Sequence, residues 1–258
     1  MKKITYDIEW NLEGFHWWFV GRRKLLEFLL SSVGIQKDSL VIDIGCGVGS
    51  NLRHFRSMCS RLIGIDSEIY SLSLAKKRLS AVPLVNGDLT NLPFKASSID
   101  LIIATDILEH LDEDKNGIKE IHRTLKWEGK AIFTVPAFEF LWGVQDIVGM
   151  HKRRYSKKEL IRKVEMEGFK VLRSSYFNFF LFPPILIMRR MIHLLGLKVK
   201  SENEINSPFI NFFLRAIFSI EPHILKYFSF PFGVSIFCVA KKMGQFDEHL
   251  SCCYKKHK

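Results

Sequence analysis

Short apolar runs alternate with helical periodicity through the middle of the chain. Between the last two of these runs, Ile118, Ile121 and Leu125 recur at helical spacing. Gly129 follows as the expected end of that helix. The alternation predicts an α/β fold with a doubly wound, Rossmann-like sheet whose parallel strands end on one shared edge. The runs predicted as buried parallel strands are Leu40–Ile44, Arg61–Ile65, Pro83–Val85, Ile99–Ala104 and Lys130–Val135.

A helical insertion is predicted between the last two strands. Phe169–Ser175 and residues 233–240 have strand character, and a helix capped by Ser156 precedes the first of them. Between those strands, Pro184 and Pro208 each stand before an apolar stretch, which is typical of a helix start. The expected divisions are an N-terminal aromatic and basic helical lid (1–38), a core (39–177), a hydrophobic helical insertion (178–227), the terminal strand of the core (228–242) and a basic tail (243–258).

Composition indicates an ordinary globular protein in a reducing compartment. Of the 258 residues, 47% are hydrophobic and 25% are charged, which is unlike a disordered chain. The five cysteines form no CxxC spacing, so neither a disulfide scaffold nor a metal site is predicted. The first residues contain no apolar core of a signal peptide, and no apolar run reaches the ~18 residues of a membrane span. We therefore expect a cytoplasmic protein.

A glycine-rich turn follows the first predicted strand. Asp43 stands two positions before Gly45, and Gly47 and Gly49 complete a GxGxG sequence. Glycines allow a sharp turn and a close approach of the backbone to a ligand. The third glycine comes one position too early for the GxGxxG dinucleotide fingerprint. Asp66 ends the second strand, where a carboxylate can accept hydrogen bonds from both hydroxyls of a ribose.

This set of residues resembles motif I and its neighbours in the class I S-adenosylmethionine (SAM) methyltransferases of the small-molecule branch. The resemblance implies a seven-stranded sheet with an antiparallel last strand, and SAM as cofactor. It implies that Asp88 meets the adenine amino group and that Leu89 packs on the ring. The residues expected to bind the cofactor are Arg22, Arg23, Asp43, Gly45, Cys46, Gly47, Gly49, Asp66, Ser67, Asp88, Leu89, Thr105 and Asp106.

An aromatic and basic cluster precedes the first strand. In related O-methyltransferases an arginine upstream of the glycine motif reaches the SAM carboxylate, and Arg22 or Arg23 matches that place. Trp17 or Trp18 would then close over the cofactor as a lid. The alternative is that the aromatic residues fix the first helix on the sheet.

Three residues are candidates for catalysis: His110, His151 and Tyr155. Methyl transfer chiefly requires alignment of the reactants, and a general base only when the acceptor is a hydroxyl. His110 follows the fourth strand and is either such a base or a residue that packs beneath the adenine. His151 and Tyr155 follow the fifth strand and either frame the acceptor, with Arg153 or Arg154 holding an anionic group, or belong to a solvated basic face.

The expected acceptor is a small or lipid-linked molecule. Thr105-Asp106 stands where adenine methyltransferases carry Asn/Asp-Pro-Pro-Tyr/Phe and cytosine C5 enzymes a Pro-Cys nucleophile, so nucleic acid is not expected despite the net charge of +11. Residues 16–23, 151–156 and 178–184 together resemble a bacterial and archaeal subgroup of cell-surface glycan and polyprenyl-linked saccharide pathways. That resemblance implies transfer to an oxygen of a glycan or related metabolite. The alternatives are a soluble quinone- or polyketide-type methyltransferase and a non-catalytic SAM-binding partner protein.

The insertion at 178–227 has three interpretations. It could lie on an anionic membrane surface, with apolar side chains inward and Arg or Lys at the headgroups. It could instead form a buried cap on the sheet, or the contact of a homo-oligomer. In the first case the cytoplasmic protein is also membrane-associated.

Overall fold

One mixed sheet organises the molecule. The computed structural model describes residues 3–196 and 207–244, in which seven strands form a sheet in the order β3-β2-β1-β4-β5-β7-β6. Strand β7 runs antiparallel to both of its neighbours, whereas β1 to β5 pair in parallel. This confirms the predicted fold, including the antiparallel last strand. The strands are β1 (Leu40–Ile44), β2 (Arg61–Asp66), β3 (Leu84–Asn86), β4 (Ile99–Thr105), β5 (Leu125–Pro136), β6 (Phe169–Phe177) and β7 (Ser235–Lys242).

Helices cover both faces of the sheet and the edge where the parallel strands end. Helix α7 begins after Ser156, whose hydroxyl accepts a hydrogen bond from the backbone N–H of Glu159, as the sequence predicted. The helices are α1 (Lys3–Leu12), α2 (Trp17–Ser32), α3 (Ser50–Phe55), α4 (Ile69–Arg78), α5 (Asp114–Thr124), α6 (Val144–Gly149), α7 (Lys157–Met166), α8 (Phe182–Leu195) and α9 (Pro208–Leu225). Among the described residues, no helix is long and apolar enough to cross a bilayer.

The start of β5 and the N-terminal segment differ from the sequence prediction. Helix α5 ends at Thr124 because Leu125 already has extended backbone angles and pairs with Ile99 of β4. Gly129 therefore lies inside β5 and does not end a helix. The first 38 residues contain two helices, of which α1 was not predicted.

The inserted pair α8 and α9 lies between β6 and β7 in the chain, as predicted. Helix α9 packs on α2 so closely that a Cβ on Gly21 would lie 2.2 Å from the Phe218 ring. The Asn211 side chain accepts a hydrogen bond from the N–H of Trp17. The buried carboxylate of Glu221 accepts hydrogen bonds from the backbone of Asn178 and Phe180, at the end of β6. The insertion is therefore joined to the N-terminal helices as well as to the sheet, and most of the predicted tail, at 245–258, lies outside the described residues.

Candidate cofactor and acceptor site

The glycine turn after β1 is held by β2. Gly45 and Gly47 have φ angles of 72° and 53°, a region in which a side chain would be strained. The N–H of Gly45 donates to the carbonyl of Ile65, and the N–H of Gly47 donates to the Asp66 carboxylate at 2.8 Å. Cys46 lies buried between the two glycines. The turn thus presents bare backbone to a cavity at the strand ends.

The ends of β2 and β3 place the next four predicted residues around the same cavity. The second oxygen of the Asp66 carboxylate accepts a hydrogen bond from the N–H of Glu68, and Ser67 lies beside it. The Asp88 carboxylate accepts from both the N–H and the hydroxyl of Thr90, and the adjacent Leu89 is buried. All four predicted residues line the cavity.

At the end of β4, Asp106 pairs with an arginine of α2. Its carboxylate accepts hydrogen bonds from Arg22 and from the Thr134 hydroxyl, and Thr105 lies next to Asn51. Burial acts to lower the pKa of Arg22, but its carboxylate neighbours outweigh burial and raise it. Arg22 thus brings a fixed positive charge into the cavity.

Four of the predicted residues do not line the cavity. Asp43 is buried, and burial raises its pKa to about 7. Gly49 precedes α3 and faces Leu79, to which an added Cβ would lie at 2.5 Å. Arg23 points away from the cavity because it follows Arg22 on a helix. None of these three residues therefore lines the cavity.

Tyr155, predicted as a catalytic candidate, is the fourth residue outside the cavity. Its side chain is fully buried, and its hydroxyl donates to Asp114 at 2.9 Å. Burial and that carboxylate raise the pKa of the hydroxyl. The geometry therefore gives Tyr155 a packing position between α5 and the end of β5, outside the cavity.

Helix α1 contributes four lining residues that sequence reasoning missed, among them Tyr6 and Glu9. The Glu9 carboxylate faces the turn, since a Cβ on Gly47 would lie 3.5 Å from it. Burial raises the pKa of Glu9 to about 7, although Arg22 opposes the shift. No local motif marks these residues; only the packing of α1 across the cavity brings them there. Trp17 and Trp18 of α2 also line the cavity and pack against Phe218.

The middle of the cavity carries a polar cluster formed by Glu109, His110 and His151. The rings of His110 and His151 lie 4.8 Å apart between centroids, and His151 Nε2 lies 4.0 Å from a Glu109 oxygen. Burial, and then His151, lower the pKa of His110 to about 4. Burial raises the pKa of Glu109 well above its ordinary value. His110 is therefore neutral at pH 7 and can accept a proton or a hydrogen bond.

Asp146 of α6 organises the outer side of this cluster. It lies 2.8 Å from His151 Nδ1 and accepts two hydrogen bonds from Arg154 at 2.9 and 3.0 Å. These partners outweigh burial and lower the pKa of Asp146 to about 2. Arg153 donates to the backbone carbonyls of Leu111 and Asp112. Both arginines that were predicted to hold an anionic acceptor are thus engaged with the protein.

The cavity continues from this cluster to the inserted helices. Its volume is about 560 Å³. At the insertion, most of its wall is formed by apolar side chains from the start of α8 and one from α9, beside the polar Asn178 and Arg189. The apolar residues are Leu181, Pro184, Ile185, Met188 and Leu214. The described cavity therefore has a polar end at the glycine turn and, at the insertion, a mainly apolar end that is called the apolar end below.

The residues at the polar end fit SAM. The turn leaves room for a ligand close to the backbone, and Asp66 offers its carboxylate at the place where a ribose is held. Asp66 and Asp106 bring carboxylates to this end of the cavity, Glu9 has a pKa of about 7, and Arg22 supplies a positive charge. SAM carries a sulfonium, an ammonium and one carboxylate, and this distribution of charges complements them. When bound, SAM supplies an electrophilic methyl group.

Comparisons with known proteins agree with this geometry. The family described as "Methyltransferase domain" matches residues 42–133. An uncharacterized methyltransferase of Oceanobacillus iheyensis is 28% identical over 148 residues, which cover 57% of this chain and 69% of that protein. An uncharacterized protein of Methanocaldococcus jannaschii is 30% identical over 169 residues, 64% of this chain and 72% of that protein.

A solved structure has a similar fold. The YcgJ protein of Bacillus subtilis superposes with a TM-score of 0.59 at 15% identity, over 85% of this chain and 98% of that chain. The family match across 42–133 covers the strand ends that hold the glycine turn, Asp66 and Asp88. The superposition extends over most of the chain. The chain therefore belongs to the class I SAM-dependent methyltransferases and uses S-adenosylmethionine as its cofactor.

Proposed function

We propose that the protein transfers a methyl group from SAM to an oxygen of a lipid-linked acceptor, such as a glycan or related metabolite carried on a lipid. The observation that carries this proposal is the continuous cavity between the glycine turn and the inserted helices. A polar group next to the cofactor and an apolar chain at Ile185 and Met188 would both be accommodated.

The outer face of the insertion supports a membrane location for the acceptor. No residue of α8 is buried, and α9 exposes several large aromatic side chains. The exposed apolar residues of this face, called the apolar face below, are Ile187, Met191, Leu194, Leu195, Phe209, Ile210, Phe212, Phe213 and Ile220. Exposed apolar patches of this kind mark interaction sites. Exposed Arg190 and Lys226 and the net charge of +11 favour an anionic lipid surface as the partner.

The chemistry requires alignment and a route for one proton. The acceptor oxygen forms a bond to the methyl carbon while the carbon–sulfur bond breaks toward sulfur, and the hydroxyl proton leaves. Glu109, His110 and His151 are the polar groups between the two ends of the cavity. Their position in the lining supports a contact with the acceptor hydroxyl.

Labelled SAM tests the acceptor class. The purified protein would be incubated with a total lipid extract and, separately, with the aqueous metabolites of the same cells. We expect label in the organic phase, and much less with the Ile185→Asp variant, which makes the apolar end polar. Label confined to the aqueous products would contradict a lipid-linked acceptor and favour a small water-soluble one. SAM binding with no label in either fraction would favour a non-catalytic partner.

Vesicle flotation tests the membrane contact. We expect the protein to float with vesicles that contain phosphatidylglycerol and less with purely zwitterionic vesicles. The double substitution of Phe212→Glu and Phe213→Glu should reduce the bound fraction at least about tenfold, since each buried aromatic ring contributes on the order of 1.5–3 kcal/mol. Met166→Glu, at an exposed apolar residue of α7, is the matched control and should float as the wild type does. Equal flotation of the two variants, or sedimentation of a stable dimer through the apolar face, would contradict the membrane proposal.

A further inference from the structure

Three side chains that no motif assigns to a metal converge in the middle of the cavity. Glu109 and His110 belong to the short turn after β4, and His151 comes from the segment after α6. One ligating atom from each lies within 4.8 Å of the other two. Donors bound to one cation at about 2.1 Å stand about 3.4 Å apart in a tetrahedral arrangement. Movements on the order of 1 Å would thus bring the three donors to bonding distance.

The neighbours of both histidines orient their rings. Asp146 Oδ1 lies 2.8 Å from His151 Nδ1, which leaves Nε2 directed toward Glu109. Asp146 is itself fixed by Arg154 and by the N–H of Gly143. His110 makes a hydrogen bond with the backbone of Met150. A carboxylate or carbonyl on the far nitrogen of a histidine is the usual support of a metal-binding imidazole.

The Glu109 carboxylate is a second, independent observation. Its side chain is fully buried, and neither oxygen has a hydrogen-bond partner. Burying such a group without a partner is costly, and native proteins usually satisfy it. The residue nevertheless lines the cavity, so a cation there would contact it directly.

We propose that Glu109, His110 and His151 bind one divalent transition-metal ion such as Zn²⁺, Mn²⁺ or Fe²⁺. Two imidazoles and one carboxylate suit these ions, whereas Mg²⁺ and Ca²⁺ prefer all-oxygen ligand sets. Three protein ligands leave coordination positions open toward the cavity.

The metal site gives the cluster a role in the proposed function, on which this step rests. A hydroxyl oxygen that coordinates a divalent ion has a lowered pKa and a fixed position. The ion would thus select acceptors that offer an oxygen ligand, and it would make a histidine base unnecessary. The acceptor class that follows is a hydroxyl with a second oxygen close enough to share the ion.

Metal titration of the purified full chain tests the site without any acceptor. After removal of metals with a chelator, Zn²⁺ and Mn²⁺ would be titrated by calorimetry, and Co²⁺ by visible absorption. We expect one equivalent to bind, and His151→Ala or Glu109→Gln to weaken binding at least about tenfold, in the range seen when a ligand or its support is lost. His54→Ala is the matched control, because His54 also pairs with a carboxylate, Glu27, but lies outside the cavity.

The outcomes separate this proposal from the proposed function. Wild-type binding that is absent, or that is equal in His151→Ala, Glu109→Gln and His54→Ala, would overturn the metal site. The d–d absorption of Co²⁺ in the wild type reports nitrogen and oxygen ligands even if a variant fails to fold. Full methyl transfer by the chelated protein would also refute a role for the ion, while leaving the lipid-linked acceptor intact. Failure to label any lipid would refute the acceptor proposal, and the metal titration would stand by itself.

Discussion

The central strands and the inserted helices are equally apolar in sequence but have opposite environments. In β4, Leu101, Ile102 and Ile103 are 0% exposed, because helices cover both faces of the sheet. In the insertion, Leu194 is 79% and Phe209 72% exposed. Burial in a sheet explains the first set by stability alone. The second set gains little from folding, so its apolar character points to contact with something outside the chain.

The largest expected difference is between two leucine-to-alanine substitutions. Leu101→Ala should lower the free energy of unfolding by about 2–5 kcal/mol, because it leaves a cavity in the sheet core. Leu194→Ala should change it by less than about 0.5 kcal/mol, since that side chain is already in solvent. Urea unfolding followed by circular dichroism measures both. Comparable losses in the two variants would mean that the insertion is part of the core.

A smaller effect is expected where the insertion packs on helix α2. Gly21→Ala would place a methyl group 2.2 Å from the ring of Phe218. We expect a loss of about 1–3 kcal/mol in the free energy of unfolding, the usual cost of overpacking, although alanine normally favours a helix. Gly14→Ala is the control, because a Cβ there meets nothing within 4 Å. If Gly21→Ala matched that control in urea unfolding, the close packing of α9 on α2 would be refuted.

The smallest effect concerns pH and two glutamates with a pKa of about 7, one in the cavity and one in the insertion. Burial keeps both Glu9 of α1 and Glu221 of α9 protonated above their usual range. The stability that each contributes is present below the unfolded pKa near 4.5 and is lost as the pH rises through 7. The melting temperature of the cofactor-free protein should therefore fall between pH 5 and 8, by a few degrees.

The two glutamates are expected to differ in their effect on the affinity for the cofactor. SAM affinity should increase over the same pH range, because ionised Glu9 attracts a cationic ligand. Glu9→Gln should reduce that increase, measured by calorimetry. Glu221→Gln should leave it unchanged, since Glu221 bonds only backbone N–H groups at the end of β6. An equal effect of the two substitutions would contradict the place given to Glu9.

The strands and the ends of the parallel strands could be predicted from the sequence because they depend on local patterns. Strand β1 was predicted with its observed limits, and Asp66 and Asp88 follow from the topology once the strands are known. Residues brought in by distant packing could not be predicted. Glu9 reaches the cavity because α1 lies against α4, where Asp7 accepts a hydrogen bond from Tyr70. Asp146 reaches His151 through a turn that no sequence pattern specifies.

The sequence also did not show which polar side chains of a motif point into the cavity. Tyr155 and His151 belong to one short segment and were both predicted to face the acceptor. Of the two, only His151 lines the cavity, because the backbone of Tyr155 bridges to Ala137 beside β5 and its ring is buried in the core. The pairing of Tyr155 with Ala137 is a tertiary contact, and the sequence of the segment alone does not show it.

The contact between Gly21 and Phe218 has a thermodynamic consequence. Gly21 is followed in α2 by Arg22, whose guanidinium lines the cofactor cavity, so the insertion packs on the helix that carries this charge. If a lipid surface changed the affinity for SAM through this contact, SAM would by linkage change the affinity for that surface by the same factor. Vesicles added to a calorimetric titration would then act as an effector of the nucleoside site.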